Sequence, residues 1–131
     1  MRLAVVLDLS ALLQFARATD VAVGELVGEV ADEEAFIGVP VSSAALAHAS
    51  LETPEQVAIF ALLVDRNLSV VVLPMLSDDS RLIGEYTAGL GQRLELAHAV
   101  REAERHEAQL ATAEGDLVRR AFGELYGIVD L

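Results

Sequence analysis

"VVLDLSALL", residues 5–13, sets a carboxylate, Asp8, and a hydroxyl, Ser10, inside a strongly apolar run. Leu3 to Val6, just before it, has the composition of a strand buried on both faces. An ionised group in the middle of such a strand is costly to desolvate. Asp8 therefore marks either the place where the strand ends and water begins, or a carboxylate with a partner. The residues around it decide between these.

Downstream, Ala11, Leu12, Leu13, Phe15 and Ala16 suit a short buried helix from Ser10 to Ala16. Thr19 or Asp20 can cap a second helix running to about Asp32, whose outer face carries Glu25, Glu29, Asp32, Glu33 and Glu34. Phe36 to Val39 precedes Pro40 and reads as an extended connection. Ser42 or Ser43 is then the expected cap of an alanine-rich helix, "SSAALAHAS". Thr53, Pro54 and Gln56 form a capping-box signature with proline at the first helical position.

"SVVVLP", residues 69–74, is a second continuous β-branched strand, and Ser77 to about Ala88 a further capped helix. Arg93 to His106 is the longest amphipathic helix. "AQLAT" (108–112), "EGDLVRRAF" (114–122) and "YGIVDL" (126–131) read as strand, helix and final strand. Apolar strands alternating with helices imply an α/β fold: a doubly wound parallel sheet of about four to five strands with helices on both faces. The 131 residues suit a single domain spanning 1–131.

Composition narrows the chemistry. The net charge is −12, all nine basic residues are arginine, and there is neither lysine nor cysteine. This removes a P-loop lysine, a Schiff-base lysine, disulfides and thiolate metal sites. The acidic balance opposes a broad grip on nucleic acid, which rests on phosphate neutralisation. No apolar run approaches a membrane span and no signal-peptide pattern opens the chain, so the expectation is a cytoplasmic protein without a membrane partner. "GLGQRL" lacks the third glycine of a dinucleotide loop, and no nucleophile-elbow motif is present.

In doubly wound sheets functional groups gather beyond the carboxyl ends of the strands. Asp8 ends the first strand, Glu114 and Asp116 follow "LAT", and Glu95 opens the helix feeding that strand, so Asp8, Glu95 and Glu114 are placed to converge. Convergent carboxylates need a cation between them, and Mg²⁺ or Mn²⁺ with water completing the shell would serve. Ser10 is placed to bond a metal-bound water. Each acid has a structural alternative: Asp8 as a helix cap, Glu95 and Glu114 as first-turn acids favoured by a helix dipole. His48 suits a packed or hydrogen-bonded residue, and His98 and His106 suit surface or packing positions. Arg93, Arg101, Arg105, Arg119 and Arg120 form the one basic concentration, interspersed with glutamates as in helix ion pairs.

"VVLDLSALL", "VPVSSAALAHAS" (39–50) and "LELAHAVREAERHEAQLATAEGDL" (94–117), in this order, resemble the PIN domain, most closely the small bacterial PIN proteins of toxin–antitoxin modules. The resemblance implies an acidic cluster binding Mg²⁺ or Mn²⁺, endoribonuclease activity on RNA, a homodimer, and inhibition by an antitoxin-like protein partner. Position by position, Asp8 matches the first-strand aspartate and Ser10 its hydroxyl neighbour. His48 stands where the family has glutamate. Glu95 or, in the other register, Leu96 stands for the later helix aspartate. Glu114 takes the last acidic position, with Thr112 two residues before it and Asp116 as a neighbouring substitute. Two functional readings follow. One is a divergent metal-dependent endoribonuclease using Asp8, Glu95 and Glu114, with Asp116 as a further metal ligand and Ser10, His48 and Thr112 as auxiliaries. The other is a catalytically inactive PIN-like interaction module without a cofactor, its acidic helix face meeting a basic protein.

Overall fold

The computed structural model describes residues 1–124 and 127–131. Strands β1 (Leu3–Leu7), β2 (Phe36–Pro40), β3 (Val70–Leu73), β4 (Gln109–Thr112) and β5 (Ile128–Asp130) form one sheet in the order β3-β2-β1-β4-β5, every pair parallel. Seven helices connect them: α1 (Leu9–Arg17), α2 (Ala22–Asp32), α3 (Val41–Ser50), α4 (Pro54–Val64), α5 (Ser80–Gly89), α6 (Leu94–His106) and α7 (Gly115–Phe122). This is the doubly wound α/β arrangement expected from the strand–helix alternation. Of the expected final strand "YGIVDL", Tyr126 lies outside the described residues.

The two faces of the sheet carry separate cores. Val5, Leu7, Ile37 and Val39 pack against Leu12, Val27, Phe60 and Leu63 of the first four helices. Leu3, Val6 and Leu110 pack on the other face against Ile83, Leu96, Val100 and Val118. Burial on both faces explains why the strands are uninterrupted apolar runs. No helix among the described residues is long and apolar enough to cross a membrane.

Phe36 to Val39 is not a connection but β2, an inner strand between β1 and β3. Pro40 is tolerated because it is the last residue of the strand. One helix start also differs from expectation. Neither Ser42 nor Ser43 caps α3, which begins directly at Val41 after Pro40, without a side-chain cap. Of the two candidates before α2, Asp20 and not Thr19 accepts from the first helical amide, Ala22, at 3.0 Å to its Oδ1. The α4 start is as expected: the Gln56 amide donates to Thr53 Oγ1 at 3.1 Å, with Pro54 at the first position. Thr53→Ala is expected to lower stability by about 1 kcal/mol in urea unfolding.

Chain order places the site. From β1 the chain steps outward through β2 to β3, then returns to the opposite side of β1 to form β4 and β5. The strand order therefore reverses between β1 and β4. Their carboxyl ends, Leu7 and Thr112, border the crevice where ligands bind in open α/β sheets.

Candidate functional site at the carboxyl ends of β1 and β4

Asp8 is the N-cap of α1 and is almost fully buried, at 1 % exposure. Its Oδ1 accepts from the Ala11 amide at 3.0 Å and from Ser10 Oγ at 2.6 Å, and its Oδ2 accepts from Thr112 Oγ1 at 2.5 Å. Both hydroxyls reach onward: Ser10 Oγ accepts from the Ala113 amide at 2.9 Å, and Thr112 Oγ1 from the Glu114 amide at 2.9 Å. Asp8 is thus the knot tying the β1–α1 turn to the β4–α7 turn. Burial pushes its carboxyl above the usual aspartate range. The bonds from Ser10, Thr112 and the Ala11 amide pull the other way, and the Glu114 charge adds to the rise.

A cation does stand between the other two acids, but it is a side chain. Arg93 Nε lies 2.5 Å from Glu95 Oε1, while its Nη1 donates to both Glu114 oxygens at 3.0 and 2.7 Å. Arg93 reaches this position because the loop before α6 turns sharply, with Gly91 at φ +66° and Gln92 at φ +68°. Its bond to Glu95 outweighs partial burial, and with Glu114 holds the guanidinium still more firmly in its charged form. Arginine's planar fork suits two carboxylates at once.

The other expected site residues are dispersed. Asp116 does not join the acids: its side chain is 97 % exposed and lies 3.5 Å from Arg119, because Gly115 has already begun α7. His48 is exposed on α3 and sets its ring edge-on against Phe60, at 4.8 Å between centroids. Leu96 is a core residue of α6, so Glu95 is the residue of this pair that faces the site. Among the described residues no group of three or more His, Asp or Glu side chains is disposed to hold a metal ion.

The implied Mg²⁺ or Mn²⁺ therefore does not fit the residues as they stand. Both Asp8 oxygens already accept hydrogen bonds, and the two glutamates converge on one guanidinium. A divalent ion would have to displace Arg93 and strip Asp8 of its donors. In the sequence Arg93 stands out only as one of five clustered arginines. The signal available was its place two residues before Glu95, directly after "GLGQ".

A second polar centre lies on α6. His98 is fully buried; its Nδ1 is 2.7 Å from Ser42 Oγ and its Nε2 faces Glu102 at 3.4 Å. Glu102 also faces His106 at 3.3 Å and Arg105 at 3.5 Å. Arg101 pairs with Glu104 at 2.8 Å and with Asp79 at 3.3 Å. Arg119 pairs with Asp130 at 2.6 Å and Glu124 at 2.9 Å. Four of the five arginines in the basic concentration, all but Arg120, are thus spent on ion pairs. Among the described residues only Arg66 and Arg120 lack a carboxylate partner, which leaves little positive surface for a phosphate backbone.

Away from the acids, α1, α2 and α4 border an open, shallow groove of about 540 Å³. Phe15, Val21, Gly24 and Ile59 line it, and Asp20 and Glu25 stand on its walls. Val21 is 70 % exposed, and Leu62, one turn beyond Ile59, is also exposed. Helix α4 is apolar on nearly every side yet buries only Phe60 and Leu63 fully. Comparison of the chain with protein-family models, curated proteins and solved structures returned no match.

Proposed function

We propose that this chain is a PIN-like α/β module that binds a cationic protein segment and does not cleave RNA. The observation that carries this reading is the Arg93 bridge. The cation between the convergent acids is a tethered guanidinium, and the third acid serves as a buried helix cap. Metal-assisted hydrolysis needs an ion with open positions and a water it can activate. An arginine fork bound to two carboxylates offers neither.

The groove between α1, α2 and α4 supplies the alternative activity. Its floor is apolar, its walls carry Asp20 and Glu25, and Glu29 and Glu55 lie exposed one turn away on α2 and α4. An apolar slot with an acidic rim matches an amphipathic helix whose apolar face enters the groove and whose Lys or Arg residues meet the rim. The exposed acidic face of α2 is the part of the −12 charge best placed for this role.

The test is titration calorimetry of the full chain with an amphipathic Leu/Lys helical peptide, beside a peptide of the same pattern with Glu for Lys. Binding of the Lys peptide that weakens with salt and falls at least about tenfold in Val21→Arg is expected. Equal binding of the two peptides, or no effect of Val21→Arg, would refute the groove assignment. Mn²⁺-dependent cleavage of single-stranded RNA by the wild type, lost in Asp8→Asn, would restore the nuclease reading.

A further inference from the structure

We infer that Arg93 is a built-in counter-ion holding the position of a divalent cation, so that the pocket excludes Mn²⁺ in the intact chain and accepts it once Arg93 is lost. The inference deepens the reading of the site as PIN-like and non-catalytic, and rests on it.

Glu95 and Glu114 come from elements far apart in the chain, yet both carboxylates turn toward one point at the β1/β4 switch. Glu95 is buried in the first turn of α6, where its side chain is only 9 % exposed; Glu114 is at 34 %. Two acids this close repel unless neutralised. The guanidinium that answers this repulsion is itself only 35 % exposed and is aimed by the left-handed turn at Gly91 and Gln92. A cation is therefore seated where two convergent glutamates create the need for one.

Removing the guanidinium leaves the two glutamates without a partner beside Asp8. Oxygen ligands with room for water suit Mn²⁺, which tolerates varied carboxylate geometry better than Mg²⁺ with its near-ideal octahedron. Glutamine at position 93 removes the charge and shortens the reach while keeping a polar side chain beside the two glutamates. Lysine keeps a charge but has no fork to span both carboxylates.

The experiment is thermal unfolding in EDTA, Mg²⁺ and Mn²⁺ of the full-length wild type, Arg93→Gln and Arg93→Gln/Glu114→Gln, with Mn²⁺ paramagnetic resonance as a direct count of bound ion. The wild type should melt at the same temperature in all three conditions. Arg93→Gln should melt lower in EDTA and rise by roughly 10 °C at Mn²⁺ a hundredfold above Kd, with a single ion bound per chain. The double variant should lose that response. Equal Mn²⁺ stabilisation of wild type and Arg93→Gln would overturn the inference, as would a folded Arg93→Gln that binds no Mn²⁺. If Arg93→Gln is unfolded in EDTA, recovery of its fold by Mn²⁺ supports the inference, and failure to recover while Arg93→Lys folds without binding Mn²⁺ overturns it. Peptide binding by the wild type is read separately, so failure of this inference and failure of the groove assignment give different results.

Discussion

Asp8→Ala should cost about 3 kcal/mol in denaturant unfolding, whereas Asp8→Asn should stay within about 1 kcal/mol of the wild type at neutral pH. Alanine removes the cap from the Ala11 amide, worth about 1 kcal/mol. It also leaves the Ser10 and Thr112 hydroxyls without their acceptor in a buried setting, at about 1–3 kcal/mol. Relief of a desolvated charge offsets part of this. Asparagine keeps an acceptor for the Ala11 amide and Ser10, and its amide group can donate to Thr112 Oγ1.

The pH dependence carries a sign. Because the folded carboxyl sits above the usual aspartate value, the native state holds this proton to higher pH than the unfolded chain does. Asp8 therefore contributes most to stability below about pH 4, and that contribution falls as pH rises through the raised folded value. Asp8→Asn removes this slope, so its stability relative to the wild type should improve as pH rises from about 4 through the raised folded value. A wild type that instead gains on the variant as pH rises would mean that the hydrogen bonds from Ser10, Thr112 and the Ala11 amide outweigh burial at Asp8.

Gly38→Val should destabilise by about 3 kcal/mol, the upper end of overpacking in a closed core. Gly38 lies in β2 with strands on both sides. A Cβ there would fall 2.7 Å from Leu73 Cδ1 and 3.0 Å from both Leu3 methyl carbons. Leu3 and Leu73 are themselves buried, so neither can swing away cheaply. The midpoint of urea unfolding checks this, and a shift under about 1 kcal/mol would mean that the second core repacks around the added methyls.

Both substitutions show where sequence reading reached its limit. "FIGVP" looks like a connection because glycine and proline are poor strand formers in isolation. It becomes an inner strand because Gly38 lets Leu3 and Leu73 close over it and Pro40 comes only at the strand end. Asp8 was legible as a residue at the end of a strand, and both its capping role and its hydroxyl neighbour Ser10 could be read locally. Its bond to Thr112, more than a hundred residues away, could not.

The sequence by itself determined the α/β class and the parallel sheet, and set Asp8 at the end of a strand. Those follow from local periodicity and from strand ends, which need no knowledge of which strands are neighbours. Only the tertiary structure decided what neutralises the acids. Strand order reverses between β1 and β4, and a left-handed turn before α6 aims Arg93 across that gap to meet Glu95 and Glu114. The cation an acidic cluster demands is set by which group arrives there in space, and spacing along a chain does not record that.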